Sequence, residues 1–359
     1  MKIRSLAALI GLSLCATTAL ASGTFIEINS PNFQLTNISP NGLYASGPSF
    51  SGGLRYYVAT GQEEDITSLD YVSFINDSGT IAGAVPENGG VGNGGRDLGA
   101  YLAIGEDSFV LTDPLYTNAD GYAISADGTV VGLAFEDNFA GAAVAFVWTE
   151  AEGMTALPVT YPDNYSRANV ISADGSVIAG WNDHDDGSRA AVIWQDRVPL
   201  EVTDPDGNPV GEADGISANG QFVVGTGYFD NEGNSGSWIW DAQTGTVTVI
   251  PSMGFAFGVS DDGQTVVGAN GFFDDPPRAA LIWHPDTGTQ FLSDVLAEQD
   301  IAIPDGWDPT LTGGLGGISA DGSLIGGWTY GPTAIQSYLI RFDKGPTDTI
   351  FSNGFDPQD

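Results

Sequence analysis

The side chains able to do chemistry are unevenly supplied in this 359-residue chain. It has two histidines, His184 in WNDHDDGS and His284 in IWHPDTG, and one cysteine, Cys15. A zinc site needs several His or Cys ligands at set spacing, and a serine-nucleophile triad needs a histidine near a serine on a strained turn; neither pattern is present. His284 reads most simply as the cap of a strand end. Acids, by contrast, occur throughout. TDPDGNP from Thr203 sets Asp204, Asp206 and Asn208 at alternate positions, as calcium loops set their oxygen ligands, and NDHDDG from Asn182 offers Asp183, Asp185 and Asp186 on similar terms. The glycine of the first loop falls too early for an EF-hand, and the plain alternative for both is a solvated hairpin loop. No cofactor is expected, calcium apart. Paired carboxylates for glycoside chemistry stay open, because linear spacing does not report separation in space. Two tryptophans, Trp181 and Trp328, follow turns in the same register (AGW and GGW). An aromatic placed there at a sheet edge is suited to stacking on a sugar ring, packing between sheets being the alternative.

The elements that must position these residues are set by a repeated phrase. Ile-Ser-x-Asp-Gly and its variants occur around Gly42 (ISPNG), Gly79 (INDSG), Gly128 (ISADG), Gly175 (ISADG), Gly220 (ISANG), Gly263 (VSDDG) and Gly322 (ISADG). The interval runs from 37 residues (Gly42 to Gly79) to 59 (Gly263 to Gly322). Before each glycine stands Asn41, Ser78, Asp127, Asp174, Asn219, Asp262 or Asp321. Asx-Gly between two apolar runs marks a tight hairpin, since these residues tolerate the positive φ that such turns demand, and the upstream Ser can bond local backbone to fix the turn. A return at regular intervals marks a structural unit rather than a catalytic loop.

After each turn comes a β-rich run ending on glycine, as in QFVVG to Gly225, and then a mostly apolar third run such as AVIW to Trp194 or SWIW to Trp240. A polar turn and a fourth short run, such as TVTVI to Ile250, complete the unit. Four strands in 40 to 50 residues is the period of a propeller blade, so the expectation is an all-β propeller of seven four-stranded blades over 22–345. The seventh unit lacks a fourth strand, and TFIEI from Thr24 to Ile28 belongs to no complete unit. Pairing the two would close the ring and leave no exposed edge. The long interval is read as an insertion in which Ser293 caps a short helix carrying Val295 and Leu296. A polar tail follows at 346–359.

The stretch from Ala123 to Leu157, ISADG…VVG followed by AF.W…GM..L, resembles the HAF family of extracellular repeats found in secreted bacterial proteins. Phe291 to Trp328 is similar to a closing unit of such proteins. The resemblance implies a secreted propeller-like repeat protein and brings no established activity or catalytic residues. Sialidases are also propellers, but their repeated turn is Ser-x-Asp-x-Gly-x-Thr-Trp, whereas here Asp and Gly are adjacent.

Met1 to Ala21 reads as a signal peptide: Lys2 and Arg4, then an apolar run from Ser5 to Leu14, then Ala19-Leu20-Ala21 for cleavage. The expected address is secreted or periplasmic. With 46 acidic against 10 basic residues the formal net charge is −36, which disfavours nucleic acid and anionic membrane as partners. No later run is long enough to insert in a membrane. The expectation is a monomeric, non-enzymatic binding or surface-interaction module whose extracellular ligand, a glycan or a surface protein, is unspecified. The alternative is an extracellular polysaccharide hydrolase or lyase with carboxylates gathered on one propeller face.

Overall fold

The computed structural model describes residues 23–50, 52–66, 71–85, 99–104, 107–111, 116–136, 142–229, 235–271 and 278–343. The expected signal peptide and tail lie outside the described residues. The remainder forms seven four-stranded antiparallel sheets. Each packs on its neighbour in sequence order, and the seventh packs on the first, so the sheets form the blades of a closed propeller.

The phrase turns are hairpins for the reason the residue types suggest. Gly42, Gly79, Gly128, Gly175, Gly220, Gly263 and Gly322 all have φ between +68° and +89°, a region that side-chain-bearing residues enter at a cost. Within the turn the serine hydroxyl donates to the Asx oxygen two residues on, as Ser172 does to Asp174 (2.7 Å) and Ser217 to Asn219 (2.8 Å). That oxygen in turn accepts the N–H of the residue just before the next strand, Ser176 and Gln221 respectively (3.0 and 2.9 Å). In blade 2 the two roles are exchanged: Ser78 donates its hydroxyl to Asn76 Oδ1 (2.7 Å).

The turns also tie blade to blade. Backbone N–H groups of Ala320, Ala126, Ala173 and Asp261 donate to the carbonyls of Pro40, Ala173, Ala218 and Ala320, each at 2.8 Å. Where that pattern is interrupted, side chains complete it. Asn41 N–H donates to Asp77 Oδ1 (2.8 Å), Asn76 Nδ2 to the Ser125 carbonyl (2.9 Å), and Asn219 N–H to Asp261 Oδ1 (2.9 Å). All seven blade boundaries are thereby bridged at one mouth of the central channel. Inside this ring, Ile38, Ile75, Ile124, Ile171, Ile216, Val259 and Ile318 line a space of about 70 Å³ on the axis. The repeated phrase thus supplies a turn, an inter-blade clasp and an apolar plug.

The third strands carry the core. Ala190–Trp194 and Ala280–His284 are buried along their length, with Trp194, Trp240 and Trp283 inside. Ring closure is as the sequence implies: Gly23–Ile28 pairs antiparallel with Ile335–Phe342, from Gly23 opposite Phe342 to Ile28 opposite Ser337. Phe25 stacks on Tyr338 (5.4 Å) and meets Trp307 edge-on (5.1 Å), while Trp307 Nε1 donates to Glu27 (2.9 Å). The insertion holds a helix at Leu292–Glu298, but Ser293 is not its cap. Phe291 occupies that position without a side-chain bond, because the helix starts directly off the preceding strand. Leu292, Val295 and Leu296 are buried, so packing rather than capping holds it.

Candidate functional site

The inner strand of each blade runs toward its turn and ends on the Ile or Val of the phrase. In five blades one residue drops out of the pairing with the second strand, giving a β-bulge: between Gly121 and Ala123, Ala168 and Val170, Ala213 and Gly215, Ala256 and Gly258, and Leu315 and Gly317. The residue left out is Tyr122, Asn169, Asp214, Phe257 or Gly316, in every case two before the Ile or Val of the phrase. A bulge re-aims its side chain without requiring any particular residue type. The turns and the plug repeat one chemistry around the ring, whereas the bulge position varies.

Asn169 bonds Glu212 and the Ala213 carbonyl, whereas in the other four of these five blades the variable residue lines a cavity of about 340 Å³ at the channel mouth opposite the turns. Thr36, Phe74, Tyr122, Asp214, Phe257 and Gly316 surround it with Gln34, Asn37, Arg278 and Trp328. The blade-7 strand presents Gly313, Gly314 and Gly316 to the cavity and leaves its space open, while blades 2, 3 and 6 contribute aromatic rings. The Ile ring lies directly below, so the cavity is a cup whose floor is the plug.

The two tryptophans have different surroundings despite their shared register. Trp328 is half-buried, lines the cup and meets Tyr330 edge-on at 5.2 Å. Its cross-strand partner is Gly314, whose missing Cβ would lie 2.8 Å from the indole Nε1. Trp181 is opposite Arg167 instead and is buried, with the Arg189 guanidinium 3.4 Å from its ring centroid. Its place as a sugar-stacking ring is therefore corrected: an arginine already occupies the ring face, and Trp181 supports a charged cluster.

That cluster borders the cup. Glu212 accepts hydrogen bonds from Arg167, Arg189 (2.8 Å) and Asn169 (3.0 Å), and Arg189 also reaches Asp183 (3.0 Å). Two guanidinium groups thus face the two carboxylates of Glu212 and Asp183. Asp214, two residues along the same strand, accepts from the Thr226 hydroxyl. Burial and then the Glu212 charge push its carboxyl up to about 8, and the Thr226 bond and Arg167 offset this only in part. With Asp214 neutral, the charges of the cluster balance.

The remaining sequence candidates lie elsewhere. Asp204 is buried, and its Oδ1 accepts the N–H groups of Asp206 (2.9 Å) and Asn208 (2.8 Å). The Asn208 side-chain amide nitrogen points at the other Asp204 oxygen (3.1 Å), which makes this a self-bonded hairpin loop. Asp183, Asp185 and Asp186 turn to three different partners: Arg189, the Asn164 amide (3.0 Å) and Ser188 (2.6 Å). Among the described residues no group of three His, Cys, Asp or Glu side chains is placed to hold a metal ion. His284 is buried, and its Nδ1 accepts the Asp286 N–H (3.1 Å), as expected of a cap; burial lowers its pKa. Sequence reasoning missed Tyr122, Asp214, Phe257 and Arg278. For the first three the available signal was the residue two before the phrase, the position at which the repeats disagree.

No family model matches the sequence, and no curated protein matches it. Solved structures do. An oligogalacturonate lyase from Vibrio parahaemolyticus superposes with a TM-score of 0.54 at 12% identity, over 88% of this chain and 91% of that one. An oligogalacturonate lyase in complex with manganese gives 0.54 at 12%, over 90% and 92%. The β-propeller domain of the trilobed protease from Pyrococcus furiosus gives 0.53 at 11%, over 88% and 99%. At such identities the likeness is one of fold, and the fold is a β-propeller. That protease domain is described as having an open velcro topology, whereas here the N-terminal strand closes the last blade. Among the described residues no helix is long and apolar enough to cross a membrane.

Proposed function

We propose that this chain is an exported, monomeric, non-enzymatic propeller of the HAF type that takes an extracellular ligand, a glycan or an exposed surface group, in the cup. One observation carries the reading. Seven units repeat the residues that build the ring, and four of the five bulge residues, Tyr122, Asp214, Phe257 and Gly316, meet at one open cavity with a half-buried tryptophan on its wall. Cavities of this size with aromatic walls and a few polar groups are where folded proteins hold small ligands.

The hydrolase or lyase alternative calls for carboxylates that meet across one cleft. Among the described residues Asp214 is the one carboxylate lining the cup, and Glu212 is bound by two arginines. Asp261, the other carboxyl group with a raised pKa among the described residues, sits at the opposite mouth, where burial raises it and the Asn219 and Ala218 N–H groups offset that. This geometry favours binding over bond cleavage.

A glycan-array and pull-down screen of the mature protein tests the proposal, run beside Trp328→Ala and with product analysis of each captured polymer. Ligands captured by the parent protein and lost by the variant are expected, with no product formed. Capture that Trp328→Ala leaves intact, or depolymerisation of a captured glycan, overturns it.

A further inference from the structure

If the cup is the binding site, as proposed above, its chemistry narrows what it holds. The chain's net charge of −36 repels anions at long range. A cation would meet the Arg278 guanidinium in the same cavity, and the nearest ionised carboxylate, Glu212, is held between two arginines. A neutral ligand meets neither penalty, whereas an anion would set that repulsion against attraction to Arg278. The walls combine aromatic rings, from Trp328, Phe257 and Tyr122, with the Asp214 carboxyl group, which accepts from the Thr226 hydroxyl. A carboxylic acid donates one hydrogen bond and accepts others, the same double capacity as a sugar hydroxyl.

We propose that the cup binds a neutral oligosaccharide, with one pyranose ring against Trp328 and a ring hydroxyl paired with the carboxyl of Asp214. The volume of about 340 Å³ accommodates roughly one or two such rings. For the pairing Asp214 keeps its proton. Burial and then Glu212 on its own strand oppose ionisation, and together they outweigh the Thr226 hydroxyl and the Arg167 guanidinium of blade 4, which favour the ionised form. Tyr122 from blade 3 and Arg278 from blade 6 share the cavity. Ionisation of Asp214 would place a negative charge beside Glu212 and remove the donor that the sugar hydroxyl requires. Binding is therefore proton-linked and weakens on the alkaline side.

The test is calorimetric titration of the mature protein with maltotriose, cellotriose, xylotriose and chitotriose, with trigalacturonate as the anionic counterpart. At least one neutral trisaccharide is expected to bind, with affinity steady near neutrality and falling about tenfold per pH unit above about 8. Asp214→Asn, which keeps a donor and an acceptor without a titrating proton, is expected to bind with no such fall, and Asp214→Ala at least about tenfold more weakly, as for a lost buried hydrogen bond. Thermal melts of both variants establish that they fold, and the Asp214→Asn melt is expected to lose the decline that the parent shows as pH rises from about 4 to about 8, where the folded protein holds a proton that the unfolded chain has released. A neutral sugar that binds through Trp328 without pH dependence overturns the role of Asp214 and leaves the cup as the site. Binding that Trp328→Ala does not weaken overturns the cup itself. No binding of any neutral trisaccharide, or preference for trigalacturonate, overturns the ligand class.

Discussion

Asn219 and Asp261 clasp blades 5 and 6 reciprocally: the Asn219 N–H donates to Asp261 Oδ1 and the Asn219 side-chain amide donates to the Asp261 carbonyl, both at 2.9 Å. Asp261 also passes its own N–H to the Ala320 carbonyl of blade 7 (2.8 Å). One residue thus spans two boundaries of the ring. Asp261→Ala is expected to lower stability by about 1–3 kcal/mol, the range for hydrogen bonds lost to a charged group. Chemical denaturation checks it: Asp261→Ala removes the acceptor of the Asn219 backbone N–H and spares the Asn219 turn, so unchanged stability would mean that this bond of the clasp contributes nothing.

The ordinary turns are expected to cost less. Asp127 accepts the Ser125 hydroxyl and the Thr129 N–H (3.1 Å), all within its own hairpin. Asp127→Ala and Asp174→Ala should each lower stability by about 1 kcal/mol, measured by the same denaturation. Gly128 has φ +89° and nothing within 4 Å of the position a Cβ would take. Gly128→Ala therefore isolates the backbone cost, about 1–2 kcal/mol, with no clash to add. A neutral result would contradict the turn assignment.

The same carboxylates set the acid limit. The Ser125 and Ser172 hydroxyls, with backbone N–H groups, hold Asp127 and Asp174 below the usual range. At Asp321 burial opposes this, but bonds from Ser319 and Ser323 prevail. Asp308, where burial is likewise outweighed by Thr310 and Thr312, is pulled down to about 2. A lowered folded-state pKa stabilises the fold above the unfolded value, and that contribution is lost as pH falls through the folded one. Melting temperature should therefore decline from about pH 4 downward. The combined Asp127→Asn, Asp174→Asn and Asp321→Asn variant, which copies the residue already present at Asn41 and Asn219, should show a flatter acid limb and stability near the parent's at neutrality. An unchanged acid limb would contradict the assignment.

Closure depends on six residues at the N-terminus. Gly23–Ile28 supplies the outer strand of blade 7, and Phe25 fills a contact with Tyr338 and Trp307. Deletion of residues 22–29 should cause aggregation or a large fall in melting temperature, because the outer edge of the last blade is left unpaired. A deletion variant that melts like the parent protein would refute closure by this strand.

Much of this architecture is legible in the sequence because the residues that encode it are intolerant. Gly128 marks its turn because few residues take its φ, and Thr24–Ile28 marks closure because a β-rich run with no partner needs one. The site is not legible in the same way. A bulge is a shift in backbone pairing, and Tyr122, Asn169, Asp214, Phe257 and Gly316 share no property that would announce it. Trp181 and Trp328 look alike in sequence, and their cross-strand partners separate them: Arg167 helps enclose the first, and Gly314 leaves room beside the second. Those pairings span distances in the chain that local pattern does not record. Ser293 is of a type that suits a cap, yet the apolar residues of the helix fix where it starts.

The central claim is that constant positions build the ring and variable bulge positions bind. The most direct measurement compares Asp127→Ala with Phe257→Ala, each titrated with the tightest neutral trisaccharide and each melted. The account predicts that Asp127→Ala melts lower and binds as the parent does, whereas Phe257→Ala, at a partly buried position stacked on Phe255 (5.7 Å), still melts cooperatively and binds at least about tenfold more weakly, a loss of about 1.4 kcal/mol. The reverse pattern, binding lost at the turn and retained at the bulge, would contradict it.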